Sequence, residues 1–216
     1  MNDTLTAALP LDERWDCKNM MVTENKIVTF WSRLLKPCIS KLYGKVENRD
    51  GFIYSGDVAA NDNPHGATVW LREETALKQR LGEDACLAGV QLYADATLVS
   101  LKGQSVHPVY MCLLNHPYDK KILNIETVAY LPSLGHVDGL EPDSEELRML
   151  KLKLYHASFD VLLNQLREMK DGCVMAGPDG ILRMVAPVFL NFIGDNPEVG
   201  TVCSVSAVVF NISHMA

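Results

Sequence analysis

Apolar positions along the second half of the chain change period twice, and those changes lay out the expected elements. Ala88 to Asp95 (AGVQLYAD) is an apolar run of strand length that ends on a carboxylate. Val106 to Leu114 (VHPVYMCLL) and Ile122 to Leu131 (ILNIETVAYL) predict two more strands. Pro108 must lie at the start of its strand or on an edge, where a missing N–H breaks no ladder, and Pro132 stops the third. The linkers between these runs are short, so successive strands are expected to be antiparallel. The period then lengthens. Leu147, Leu150, Leu154, Ala157 and Val161, continued by Leu162, Leu166 and Met169, recur at three and four and predict a long helix. Asp143, with Glu146 three residues on and Pro142 before it, reads as its capping box, and Gly172 ends it. After a short apolar segment, Cys173 to Ala176, the word Gly177-Pro178-Asp179-Gly180 predicts a turn. Ile181 to Ile193 predicts a buried strand, bent at Pro187, whose run ends on Asp195.

The first 66 residues are less periodic. Trp31, Leu34, Leu35, Ile39 and Leu42 fit one helix face within Ile27 to Tyr43, interrupted by Pro37. Asn48 to Gly66 is rich in Asn, Asp, Gly and Pro and reads as loop. Ala67 to Gly82 predicts a short helix stopped by Gly82. The expected organisation is an N-terminal mixed region over 1–66, a core over 67–203 and an atypical tail over 204–216. Within the core, three antiparallel strands, a long helix and then a parallel central strand make a mixed α/β sheet. That order matches the first two thirds of a ribonuclease H-like fold, incomplete at the C-terminus. The helix supplies the crossover that a parallel return requires.

Composition narrows the class. Of 216 residues, 48% are hydrophobic and 22% charged, enough to bury a core and against wholesale disorder. The formal charge of −7 shows no basic excess for gripping phosphates. Six cysteines lie far apart without a CxxC pair, and they read as reduced, mostly buried thiols of an intracellular protein. The longest near-continuous apolar run, Met184 to Gly194, falls short of the ~18 residues of a membrane span, so no membrane partner is expected. P-loop, GxGxxG, GxSxG and HExxH words are absent from the sequence.

Two carboxylates carry the candidate chemistry. Asp95 and Asp195 each follow a predicted buried strand, and if those strands are neighbours both side chains leave the same sheet edge. A pair of hard oxygen ligands suits Mg²⁺ or Mn²⁺. On pattern alone, two solvated loop aspartates are the default reading, since lone acids at strand ends are common. His107 is a candidate neighbour of the acids or a partly buried sheet residue. His65 and His136 lack ligand spacing. Tyr110 is expected on a sheet face or in the core, and Lys102, Lys120, Lys121 and Arg183 are surface cations that a phosphate can reach.

Several short words then fall in a telling order. Tyr93-Ala94-Asp95-Ala96-Thr97 is followed by Pro108-Val109-Tyr110, Asn115, Tyr130-Leu131-Pro132, then Gly180, Arg183, Pro187 and Gly194-Asp195-Asn196-Pro197-Glu198. This series, across residues 67–203, resembles the Plavaka-type transposases, relatives of the CACTA transposases. The resemblance implies a DDE-type core that cuts and joins DNA at transposon ends with Mg²⁺ or Mn²⁺, in the nucleus, with a homo-oligomer as a candidate assembly. It makes Asp95 the first catalytic, metal-binding acid and Asp195 the second. The chain also departs from the family. Ala94 and Ala96 flank the first acid, and no Cys-Pro-x-Cys word or distant third acid follows Asp195. Glu198 is too near Asp195 to serve as that third acid, and Cys203 has no CxxC partner for a zinc. The expectation is therefore a catalytically incomplete fragment of a transposase core. The rival readings are a non-enzymatic transposon remnant that binds partners, and an unrelated α/β protein.

Overall fold

The structure, a computed structural model, describes residues 14–60, 63–98, 105–116, 124–135, 137–142 and 144–194. Strand β3 (Cys86–Ala94) lies at the middle of the molecule. It pairs antiparallel with β6 (Pro108–Leu113), and β6 pairs antiparallel with β7 (Glu126–Tyr130). On its other side β3 pairs parallel with β9 (Leu182–Ile193), and β8 (Cys173–Ala176) makes a hairpin with the start of β9. The antiparallel trio, the parallel return and the Gly177–Gly180 turn all follow the expectation from sequence. Pro108 is the first residue of β6, where it costs no ladder bond. Two residues of β4 (Thr97–Leu98) and β5 (Ser105–Val106) form a separate small ladder beyond the β3–β6 pair.

The sheet is larger than the sequence pattern foretold. Residues Trp15–Thr23 (β1) and Lys26–Arg33 (β2) form an antiparallel hairpin, and β2 adds to β7, giving the order β1-β2-β7-β6-β3-β9-β8. The helix expected over Ile27 to Tyr43 is thus half strand. Trp31 belongs to β2, and only Leu35–Tyr43 is helical (α1), burying Leu35, Cys38, Ile39, Leu42 and Tyr43. Pro37 sits at the third position of α1, where its missing N–H removes no intrahelical bond. Leu34 offers α1 no side-chain cap, so Gln165 from the long helix supplies one, its Oε1 accepting from Leu35 N at 2.9 Å. The buried Arg33 fixes the added hairpin. It donates to Glu126 Oε2 at 3.0 Å and to the Thr127 carbonyl at 2.9 Å.

Helix α2 (Thr68–Leu81) ends as expected at Gly82, whose φ of +101° lies where side chains are disfavoured. Helix α3 (Glu145–Glu168) makes the crossover from β7 towards the β8–β9 hairpin. Its cap is Ser144, whose hydroxyl accepts from Leu147 N, one residue beyond the expected start. Asp143 lies outside the described residues. Leu147 occupies the third helical position, so the reciprocal half of a capping box is missing. Ala157 is exposed, and Ser158 and Phe159 take the buried face instead.

Helices cover the two sheet faces unequally. On one face Val90, Leu92 and Ala94 of β3 pack with α1 and with Phe159, Leu162 and Leu166 of α3. Each such burial contributes about 1.5–3 kcal/mol for a large side chain. On the other face α2 covers only the amino-terminal half of β3, through Trp70 and Leu77 against Leu87, Leu114 and Ala186. Gly89 permits this approach, since a Cβ there would stand 2.5 Å from Trp70 Cζ3. Beyond Gly89 that face carries the half-buried Gln91, Tyr93, Tyr110 and Asn191.

Among the described residues no helix is long and apolar enough to cross a membrane. Of the five described cysteines, Cys38, Cys86 and Cys112 are buried while Cys17 is exposed.

Candidate functional site

Asp95 is the first residue past β3, and it is exposed at the carboxyl end of that strand. Its Oδ2 accepts a hydrogen bond from the Tyr93 hydroxyl at 2.9 Å. Alternation along a strand puts residues 93 and 95 on the same face, which this bond requires. The face is the one that α2 leaves uncovered. Tyr93 stacks on its cross-strand partner Tyr110, with ring centroids 5.8 Å apart and planes within 20°. Tyr110 therefore lies on the sheet face. His107 is half-buried and meets the Tyr155 ring of α3 edge-on at 5.8 Å, so it is tied to the helix side.

β9 reaches the same edge. Its register with β3 runs from Cys86 opposite Val185 to Tyr93 opposite Ile193. That register contains one irregularity: Val90 faces Phe189, but Gln91 faces Asn191, so Leu190 is extra. The expected irregularity of β9 thus falls at Leu190 rather than at Pro187, which pairs regularly with Ala88. A single extra residue reverses the facing of everything after it. Without it Asn191 would face the apolar core. With it, Asn191 Nδ2 donates to Gln91 Oε1 at 3.1 Å, and Ile193 shares a face with Tyr93. Asp195 follows two residues later and lies outside the described residues, as do Glu198, Cys203, His136, Lys102, Lys120 and Lys121. The described residues therefore bring Asp95 and the end of β9 together. Among them no three His, Cys, Asp or Glu side chains converge as a metal site.

Pro108-Val109-Tyr110 and Tyr130-Leu131-Pro132 fall at the same end as Asp95, with Val109 opposite Ala94 and Tyr130 opposite Pro108, whereas Asn115, Gly180 and Arg183 fall at the opposite, amino-terminal end of β3 and β9. Asn115 is fully buried there. Its Oδ1 accepts from Gly89 N at 2.9 Å, and its Nδ2 donates to the carbonyls of Leu87 and Ile53, each at 2.8 Å. Arg183 is no free surface cation. Its guanidinium grips Asp179 with two parallel bonds of 2.8 and 2.7 Å across the β8–β9 turn and lies 4.0 Å from the Tyr54 ring centre. Arg183 holds the Asp179 carboxyl well below the usual carboxylate range, and Asp179 in turn raises the guanidinium. Gly180 at φ +79° makes the turn, and a Cβ on Gly177 would meet Arg183, Asp179 and Tyr54 at 2.8 Å.

Glu74 is a buried carboxylate that the sequence pattern did not single out. Its oxygens accept from Ser55 Oγ, Gly56 N and Trp70 Nε1 and pair with Lys78 Nζ at 2.7 Å. Burial pushes its pKa up, but the bonds from Lys78, Ser55 and Gly56 outweigh this and hold it low. The i, i+4, i+8 spacing of Trp70, Glu74 and Lys78 was the legible clue. These groups are satisfied and structural. Burial also raises the Cys86 and Cys173 thiols, the opposite of what a nucleophilic thiolate needs. A cleft between the β1–β2 turn and the start of α3, lined by Thr23 to Lys26 and Glu145 to Lys153, includes neither Asp95 nor any residue of β3 or β9.

No curated protein and no solved structure matches the chain. The family model described as Plavaka transposase matches residues 1–211, nearly the whole sequence and well beyond the stretch that carries the short words. That match spans nearly the whole sequence, and the chain belongs to the Plavaka transposase family.

Proposed function

We propose that this chain carries a DDE-type DNA transposase core of ribonuclease H-like architecture, in which Asp95 and Asp195 hold Mg²⁺ or Mn²⁺. One observation carries the reading. β3 and β9 are parallel neighbours with Tyr93 opposite Ile193, and each chain reaches an aspartate two residues beyond that matched pair. Continued alternation would bring Asp195 up on the face of Asp95. The architecture is supported by the antiparallel β3-β6-β7 trio, the α3 crossover and the parallel β9.

The donor chemistry fits the cation. Asp95 is an exposed carboxylate whose Oδ1 is not used by the Tyr93 bond, and Mg²⁺ is commonly held by one or two carboxylates with water and phosphate oxygens completing the shell. When bound, such ions activate an attacking oxygen and stabilise the leaving oxygen of a phosphodiester. The chain's own part is to hold the two carboxylates at one sheet edge, beside the face that α2 does not reach, from which a DNA strand would approach. The third acid of a DDE site is unassigned. Two carboxylates are enough to bind a cation but too few for strand cleavage, so we expect metal binding without nicking of duplex DNA by this chain alone. Action in the nucleus follows from the same reading.

Thermal unfolding with and without Mg²⁺ or Mn²⁺ tests it. A cation at 100 times its Kd stabilises by about 2.7 kcal/mol. Asp95→Asn and Asp195→Asn should each remove that gain. A chain unaffected by metal, with neither substitution mattering, would instead be a non-enzymatic transposon-derived binding domain.

A further inference from the structure

We infer that Tyr93 is a positioning residue for Asp95, holding the carboxylate in one orientation so that its second oxygen is presented to a cation. This rests on the metal-binding reading above and adds to it a specific donor.

An exposed aspartate just past a strand end has freedom about both side-chain torsions, and a cation that binds it must freeze them. Ligating carboxylates are commonly hydrogen-bonded by a neighbouring donor that removes this freedom beforehand. Tyr93 meets the requirements of such a donor. Its backbone is held on both sides, opposite Tyr110 of β6 and Ile193 of β9. Its ring is held by the stack on Tyr110. Its hydroxyl reaches Asp95 Oδ2 at 2.9 Å, a bond in which Oδ1 takes no part, on a residue that is exposed. A phenol is a neutral donor at physiological pH, so it orients the carboxylate without cancelling the charge that a cation needs. Gln91 sits two residues earlier on the same face, but its amide is committed to Asn191 and Cys112, which leaves Tyr93 as the residue bonded to the acid.

Calorimetric titration of Mn²⁺ into the full chain separates the possibilities when wild type, Tyr93→Phe and Asp95→Asn are compared. The expected result is binding by wild type, loss in Asp95→Asn, and affinity about tenfold weaker in Tyr93→Phe at an unchanged Tm. Loss in Asp95→Asn with full affinity in Tyr93→Phe overturns the positioning role and leaves the metal site standing. No binding by wild type, or binding untouched by Asp95→Asn, overturns the metal reading and this inference with it. A spectroscopic signature covers the case in which Tyr93→Phe folds poorly. Adding Mg²⁺ to wild type should perturb the tyrosine ultraviolet spectrum, and Asp95→Asn should abolish that change. A flat tyrosine difference spectrum in a metal-binding wild type counts against the assignment.

Discussion

The two ends of the β3–β9 pair are built on opposite principles. At the amino-terminal end three polar side chains are buried or half-buried and well bonded: Asn115 bonds three backbone groups, Glu74 takes four donors, and Asp179 is clamped by Arg183. At the carboxyl-terminal end Asp95 is exposed, bonded by one phenol, and α2 no longer covers the face. Closed polar networks in low dielectric hold a structure in one arrangement. An exposed carboxylate at a strand tip contributes little to folding and remains available for chemistry. Short sequence words that look alike as signatures thus do different jobs: Asn115 and Arg183 build the frame, and Asp95 faces outward.

Substitutions that probe this contrast should range from severe to nearly silent. Asn115→Leu leaves Gly89 N–H and two carbonyls buried without their partner, and should cost about 3 kcal/mol in urea unfolding. Gly89→Ala drives a methyl group into Trp70 and should cost about 2 kcal/mol. Glu74→Gln should cost about 1.5 kcal/mol at pH 7, because Lys78 loses its buried counter-charge. The Glu74 pKa is depressed on folding, so its contribution is present above the unfolded value of about 4.3 and is lost as pH falls through the folded value. The gap between wild type and Glu74→Gln should therefore close in that acid window, which unfolding series at several pH values would follow. Asp95→Asn without metal should shift stability by less than about 0.5 kcal/mol. A large loss there, or a small one at Asn115, would break the contrast between the two ends.

Much of the frame was legible in the sequence because its signals are local. Gly82 stops α2, Gly177 to Gly180 turns β8 into β9, and the three-and-four spacing of leucines marks α3. The β1–β2 hairpin was not legible. Its apolar residues alternate poorly, Met21 and Ile27 are exposed, and Trp31 happens to stand at helical spacing from residues of α1. Pro37, read as an interruption, marks the first turn of α1. Asp143 and Ser144 are both good caps in adjacent positions, and local chemistry alone does not choose between them.

At the site, the tip position of Asp95 could be read from the end of an apolar run. The phase of β9 could not. Leu190 lies inside a uniformly apolar stretch, and a bulge there exists only relative to the partner strand. Nor does a sequence show that the Tyr93 hydroxyl reaches Asp95, since that depends on a ring orientation set by Tyr110. Conversely, Arg183 looked like a free cation until the Asp179 and Tyr54 contacts were in place.

Two aspartates a hundred positions apart are proposed to share one cation. Anomalous diffraction from crystals soaked in Mn²⁺ tests it most directly. The predicted result is a peak about 2–2.5 Å from carboxylate oxygens of both Asp95 and Asp195. A peak bound elsewhere, or the two side chains on opposite faces of the sheet, would contradict it.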